Sequence, residues 1–463
     1  MAKSQHLQLV PKPPTEISRR TLLRGAAALG GLSTLPLPWT SQAAAEDLSL
    51  PGAVNSLFRL RPGTAPMNAA NLAPMLQPVA ERVSEYAQLL NQDVSFIHRR
   101  DIVKDKVDLS RSKVARMLGA DSNEIALVRN TSEANSVITN GIELTKNDEV
   151  LLWSENHATN HRSWYYRQQR QPFRIATVQL PDTLTSRQQI LDAFVSRLTP
   201  HTRVVAFSEL SNISGTRLPA RNLCSAIHDF NPDIHVHVDG AQSWGSLEVD
   251  LNAMGCDSFS SSAHKWFMGP RGTGFLYVKD GGAERIQPTT LGYDFLLNYP
   301  MEALPDTAQR FECLGQRDVA PFAAIGDCVD LYTRLGGSSQ IEQQIQARTQ
   351  QAIAGLENAG IKTVTPVAQG LSHAVVVIDM DSNLSAYGGF LALHNAGIAS
   401  AFITGDRVCC HPVAGIPDDD APVYLRLSPH IYNSAEDIDR ALAIIKRIHR
   451  SKFEIVREVV RFL

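Results

Sequence analysis

Cysteine is scarce and scattered in this chain. Six residues in 463, Cys224, Cys256, Cys313, Cys328, Cys409 and Cys410, show none of the tight spacing of a disulfide framework or a zinc site. Small stapled folds and thiolate metal centres are thereby set aside, and most of these thiols are expected to be buried hydrophobes. Long apolar runs are also missing. Beyond residue 45 no stretch approaches the roughly 18 consecutive apolar residues needed to cross a bilayer, so the mature chain is expected to be soluble. Positive charge is in slight deficit, with 44 Lys and Arg against 47 Asp and Glu and a net charge of −3. No basic stripe interleaves with aromatic residues, which argues against nucleic acid as a partner. Repeats and low-complexity tracts are absent. The remainder, 43% hydrophobic and 20% charged, is ordinary globular material, enough for two packed cores around a small-molecule site.

The N-terminus differs in character. Ser18-Arg19-Arg20-Thr21-Leu22-Leu23-Arg24 is a twin-arginine pattern, followed by a mildly apolar run from Leu22 to Leu37 and by Ala43-Ala44-Ala45. Charge, apolar stretch and small-residue site in that order predict an export signal over residues 1–45, cleaved after Ala45. The plain alternative is an exposed basic turn before a short helix. Export through the twin-arginine machinery carries a protein that is already folded, which suits a chain that must first bind a cytoplasmic cofactor, and it predicts a periplasmic location.

After a loop-like stretch from Pro51 to Pro78 and an amphipathic helix near Val79 to Leu90, strand and helix patterns alternate. Apolar, β-rich runs occur at 124–129, 149–153, 173–180, 203–210, 234–239 and 274–279, separated by helix-length segments. Such alternation predicts an α/β fold with a mostly parallel sheet covered on both faces. Ligands then bind beyond the carboxyl ends of the strands. From about Phe322 a helical stretch, interrupted at Gly336-Gly337, leads into a smaller α+β unit with strands near 372–379, 399–404 and 423–428. The expected organisation is a signal at 1–45, an N-terminal segment at 46–85 packing on the small domain, a large domain at 86–330 and a small C-terminal domain at 331–463.

Chemistry concentrates at the strand ends. His-Val-Asp-Gly-Ala-Gln places Asp239 at the end of a buried run, where a carboxylate is unfavourable unless something positive meets it. A protonated pyridine nitrogen is such a partner; a carboxylate capping the next helix fits as well. Some two dozen residues later, Ser-Ala-His-Lys followed by Gly-Pro-Arg-Gly sets Lys265 beside a glycine-rich turn. Alone it could be surface decoration. Together, a lysine that can bond covalently to an aldehyde and an aspartate that can pair with a ring nitrogen are what pyridoxal 5′-phosphate requires. A phosphate needs amides at a helix N-terminus. Thr131 and Ser132, between a strand and a helix, fit that role and equally an ordinary N-cap, while Ser262 and His264 approach from the other side. His157, after the strand at 149–153, is placed to lie on the ring or to be a loop histidine. Asn212 and Gln242 both follow strands and are candidates for the ring hydroxyl.

The order of ENHATN, SNISG, HVDGAQ, SSAHKWFMGPRGTG, RFECLGQRD and YLRLSPHIYNSAEDID resembles the class V aminotransferases of fold-type I pyridoxal phosphate enzymes. The similarity is to isopenicillin N epimerase-like proteins and, more distantly, to cysteine desulfurases, and it covers roughly Phe58 to Ile448. It implies a mostly parallel seven-stranded sheet in the large domain and a homodimer with its site between subunits. It also implies Lys265 as the covalent anchor, Asp239 at the ring nitrogen, His157 on the ring, Gln242 and Asn212 at the ring oxygen, and Thr131, Ser132, Ser262 and His264 at the phosphate. Arg426 matches an arginine that grips a substrate carboxylate, a task for its bidentate fork, with Asn71 beside it on the substrate side; a strand-edge surface charge is the alternative for Arg426. Two positions depart from the pattern. Gly315-Gln316-Arg317-Asp318 lacks the threonine that commonly reaches the partner subunit's phosphate, leaving Arg317 as a candidate, and Asn156 stands where histidine is frequent.

Fold does not choose among the reactions this cofactor supports. The export signal, and a resemblance that extends to periplasmic enzymes tailoring pyoverdine-type siderophore peptides, point to modification of a glutamyl-like side group of such a peptide through its amine. Sulfur chemistry at Cys409 or Cys410, as in a cysteine desulfurase or C–S lyase, is the alternative, with transamination or epimerisation of a small amino acid a third.

Overall fold

The computed structural model describes residues 51–100, 104–292, 306–404 and 422–451. The expected signal at 1–45 and the Cys409-Cys410 pair lie outside the described residues. Twelve strands are described, and seven form the central sheet: β2 (Ile125–Val128), β3 (Glu149–Trp153), β4 (Arg174–Val178), β5 (Thr202–Ser208), β6 (His235–Asp239), β7 (Ser258–Ser262) and β8 (Gly274–Val278). Their spatial order is β2-β8-β7-β6-β5-β3-β4, parallel throughout except for β8, which runs antiparallel to both neighbours. Nearly continuous apolar sequence in β2, β3, β5 and β8 is what a sheet covered on both faces demands. β7, Ser-Phe-Ser-Ser-Ser, escapes sequence reading because four of its five residues are serine. It is nevertheless wholly buried, its hydroxyls bonded within the protein rather than to water.

A three-stranded antiparallel sheet forms the second layer system, ordered β11 (Ala401–Thr404), β12 (Val423–Leu427), β9 (Val376–Ile378). β1 (Ala65–Pro66) pairs in parallel with β10 (Ile398–Ala399). From Asp47 onward the chain is one unit by its contacts, built on two cores. The helix Gly337–Glu357 contributes to both cores. Ile341 and Ile345 join the larger core, while Ala352, Ile353 and Leu356 join the smaller. Residues of the N-terminal segment enter both, Met67 the smaller and Val79 the larger.

Two glycines fix the strand ends where the chemistry lies. A Cβ on Gly240 would lie 1.8 Å from the Phe259 ring, so the residue after Asp239 must be bare. At Gly215 φ is +76° and a Cβ would meet the Val375 carbonyl oxygen at 2.2 Å, so the turn after β5 closes against the chain leading to β9 only through glycine.

Near β2, the carboxylate of Glu312, 3% exposed, accepts from Arg111 Nη2 at 2.9 and 3.0 Å, from the Leu127 amide at 2.7 Å and from Arg317 Nη2 at 3.2 Å. Two guanidinium groups therefore share one buried anion. Glu312→Ala takes from Arg317 its carboxylate partner and leaves Arg111 only Asp108, at 2.9 Å from its Nη1, and is expected to destabilise the fold by about 3 kcal/mol, read as a fall in the urea midpoint.

Candidate active site

The carboxyl ends of the central strands converge on Lys265. The residue is half-buried, in the turn after β7, and that turn is stapled by the N-terminal segment: the Ala73 amide donates to the His264 carbonyl at 3.0 Å and the Leu76 amide to the Met268 carbonyl at 3.2 Å. Its ammonium makes no hydrogen bond or close ion pair among the described residues. Burial pushes its pKa down to about 8; the Asp239 carboxylate opposes that shift and the Arg426 charge reinforces it. A lysine in such surroundings is a nucleophile in waiting, because an appreciable fraction is neutral amine near pH 7.

Asp239, 3% exposed, ends β6. Its carboxylate accepts from Asn135 Nδ2 at 2.9 Å and from the Ala241 amide at 3.0 Å. His157 caps the helix Ala158–Gln168, with Nδ1 accepting from the Thr159 amide at 3.2 Å. Burial and the neighbouring Lys265 charge lower its pKa, partly offset by Asp239, so the ring is neutral at pH 7 and suited to lying on another aromatic ring. At the opposite margin Thr131 opens the helix Thr131–Gly141. Its amide donates to Ser262 Oγ at 2.7 Å, and the two hydroxyls lie 2.6 Å apart. His264 is held neutral, its pKa driven to about 4 by burial and by the Lys265 and Arg271 charges. Ser132, on the same helix turn, is exposed.

Arg426, 8% exposed, projects from β12 and ties the two sheets together across the site. Its Nη1 donates to the Asn212 carbonyl at 3.1 Å and its Nη2 to Asn68 Oδ1 at 3.1 Å, while Nε is a buried donor without a partner. Burial lowers its pKa to about 10, leaving it charged. A fixed cation with an unfilled donor is a place for a carboxylate. Arg426→Lys keeps the charge but loses the fork; KM is expected to rise about 10²-fold with kcat little changed, as steady-state kinetics on a carboxylate-bearing substrate would report.

Several expected residues are placed differently from the sequence expectation. Gln242 turns its Nε2 to the Ala70 carbonyl at 3.0 Å and its Oε1 to Trp266 Nε1 at 2.7 Å, fastening the N-terminal segment to the lysine turn. Asn212 meets Arg426 through its backbone. Asn71 is exposed, its amide bonded to the Asn68 carbonyl at 3.0 Å, and it is Asn68, three residues earlier, that holds Arg426. Arg317 does not stand free for a phosphate within its own chain. Its Nη1 donates to the Leu127 carbonyl at 2.9 Å, its Nη2 to the buried Glu312 carboxylate at 3.2 Å, and Phe322 lies 4.4 Å beneath the guanidinium. Gln316 accepts from Arg99 Nη2 at 3.0 Å. Asn156, where histidine is frequent, is buried and bridges β3 to β5 through the Ala206 carbonyl and the Ser208 amide.

Sequence reasoning passed over Asn68 and Asn135. Asn135 carried a signal, lying four residues after Thr131 and hence on the same helix face; Asn68, in a loop, carried none.

This donor set fits pyridoxal 5′-phosphate. A lone amine of depressed pKa stands opposite a buried carboxylate, a hydroxyl pair marks a helix N-terminus, and a buried guanidinium retains an unused N–H.

The Aminotransferase class-V family profile matches residues 67–441. An isopenicillin N epimerase of Amycolatopsis lactamdurans is 27% identical over 403 residues, spanning 84% of this chain and 96% of that protein. A probable cysteine desulfurase of Methanothermobacter thermautotrophicus is 30% identical over 278 residues, covering 58% of this chain and 67% of its own. Among solved structures, a cysteine desulfurase from Thermococcus onnurineus superposes with a TM-score of 0.74 at 21% identity, covering 87% of this chain and 98% of that one.

Proposed function

The chain belongs to the class-V aminotransferase family, and we propose that it is an exported pyridoxal 5′-phosphate enzyme that modifies an amino-acid residue, glutamyl-like, of a pyoverdine-type siderophore peptide through its free amine. The observation that carries the cofactor chemistry is Lys265, its pKa pushed down to about 8 by burial, within electrostatic reach of Asp239 and Arg426. When bound, the cofactor supplies an aldehyde for an amine and a ring that draws electrons from that amine's α-carbon. Lys265 would hold it through the amine and, once released by the substrate amine, would carry a proton to or from the α-carbon. Asp239 sets its negative charge against the ring nitrogen. His157 would lie on the ring, Thr131, Ser262 and the helix N-terminus would receive the phosphate, and Arg426 would hold the substrate carboxylate.

Support for export and for the siderophore comes from residues 18–45 and from the resemblance of the motifs to periplasmic tailoring enzymes. A homodimer, as in the family, is part of this reading. The test is mass spectrometry of secreted peptides from a source strain whose only copy carries Lys265→Ala. A siderophore accumulating with an unmodified side group is the expected result, and its mass difference from wild type identifies the reaction; an unchanged peptide profile overturns the siderophore assignment.

Cysteine desulfurase relatives favour one second reading, sulfur removal from cysteine, with Cys409 or Cys410 as the acceptor. The four described thiols do not suit that role. All are buried, and burial raises the pKa of Cys224, Cys256 and Cys328, keeping them protonated. Sulfide release from L-cysteine that disappears in the Cys409→Ser, Cys410→Ser double variant supports this reading over the first.

A further inference from the structure

Asp239 receives one of its two hydrogen bonds from a side chain that is itself the end of a longer chain of bonds. Asn135 Nδ2 lies 2.9 Å from Asp239 Oδ2. Asn135 Oδ1 lies 2.5 Å from Ser260 Oγ and 2.9 Å from His237 Nε2. His237 Nδ1 is 2.8 Å from Ser258 Oγ, which is also 2.8 Å from His235 Nε2. Asn135, His237, Ser258 and Ser260 are all at most 3% exposed.

Chemistry fixes the direction of every link. A carboxylate only accepts, so Asn135 must present its N–H to Asp239 and turn Oδ1 away. Oδ1 then accepts from the Ser260 hydroxyl and from His237 Nε2–H. With its proton on Nε2, a neutral His237 offers Nδ1 as an acceptor, so Ser258 donates its hydroxyl there. Ser258 is left with lone pairs, and these accept from His235 Nε2–H. Both histidines are neutral: burial takes His237 to about 3 and His235 to about 4, the latter against the pull of Asp257. From His235 through Ser258 and His237 to Asn135, every N–H and O–H therefore points from the start of β6 toward Asp239 at its end, and bonds aligned head to tail polarise one another.

We propose that Asn135 is the positioning residue of Asp239, and that His235, Ser258 and His237 form a one-way hydrogen-bond relay that stabilises negative charge on it. The proposal rests on the cofactor reading above, since it assigns the relay's purpose to the ring nitrogen that Asp239 would face. The charged and titratable groups around Asp239 include Lys265 and His157; those around His235 are Asp257, His228 and Arg285. When a link is cut, Asp239 holds its negative charge less favourably and its affinity for a proton rises. With the cofactor bound, Asp239 would then draw the ring-nitrogen proton more strongly, and the protonated linkage to Lys265 would persist to higher pH.

The experiment titrates the visible absorption of the purified holoenzyme with pH and, in parallel, weighs the borohydride-reduced peptide that contains Lys265. Asn135→Leu is expected to raise the absorption midpoint by about one unit, a roughly tenfold change in proton affinity. His237→Leu raises it by about half a unit, and Ser258→Ala, which deletes only a hydroxyl three links from Asp239, by about 0.3 unit. His237→Gln, which can still donate to Asn135, returns the midpoint to that of the wild type. Folded, cofactor-loaded variants whose midpoints all stay at the wild-type value overturn the relay and leave the cofactor reading standing. A wild-type Lys265 peptide without cofactor mass overturns both.

Discussion

Lys265→Ala is expected to lower turnover by about 10³-fold or more and to yield protein without covalently held cofactor, measured by product formation and by intact mass. The magnitude follows from two losses, the covalent anchor and the group that moves the proton. His157 is poorly suited to replace it, because its Nδ1 is occupied by Thr159 and burial and the neighbouring Lys265 charge lower its pKa. The depressed pKa adds a sharper test. At pH 7 a group with pKa about 8 is neutral in about one molecule in ten, against about one in 2,500 for an unperturbed lysine. Cofactor attachment to the apoprotein should therefore accelerate about tenfold per pH unit until near pH 8 and then level off. The linkage has the opposite sign for stability. With its folded pKa below its unfolded one, the unfolded chain binds more protons between about pH 8 and 10.4, so the unfavourable contribution of this group is full below that window and is relieved as pH rises through it. Lys265→Met apoprotein should accordingly melt higher than wild-type apoprotein at pH 7, a gain of stability where activity is lost.

Much of this arrangement was legible from one strand at a time. Alternating apolar runs place the parallel sheet, and residues directly after the strands, Thr131, His157, Asp239 and Lys265, fall where the carboxyl ends gather because sheet topology dictates it. β7 was not legible, since a serine-rich strand has no apolar signature; its hydroxyls are satisfied by partners far away in sequence, such as Asn135 for Ser260 and Gly240 for Ser261. The roles of Gln242 and Arg317 were also beyond sequence reading. Each has hydrogen-bonding capacity that suits a ligand, and each is claimed by a protein group, Gln242 by Ala70 and Trp266, Arg317 by Glu312, whose proximity depends on tertiary packing. Asn68 illustrates the same limit from the other side. A loop asparagine with no pattern around it becomes a partner of Arg426 because the N-terminal segment is drawn between β10 and β12, with its Met67 amide on the Ala399 carbonyl and its carbonyl on the Ser428 amide.

Asp239→Asn should reduce turnover by a factor comparable to the lysine substitution, about 10³ or more, because an amide offers no negative charge to a ring nitrogen. It also disturbs the fold locally: an asparagine at 239 can accept from the Ala241 amide only by turning its own N–H toward Asn135 Nδ2, setting donor against donor. Part of the loss therefore reflects mispaired hydrogen bonds, and a second substitution separates the parts. In the double variant Asp239→Asn, Asn135→Asp, the new carboxylate at 135 accepts from 239 on one side and from Ser260 and His237 on the other, so every bond has a donor and an acceptor again. Thermal stability should return to within about 1 kcal/mol of wild type, while turnover stays near that of the single variant, since the anion now stands one residue away from where the ring nitrogen would meet it. Recovery of turnover together with stability would mean that Asp239 serves the site through packing alone, and the electrostatic role assigned to it would have to be given up.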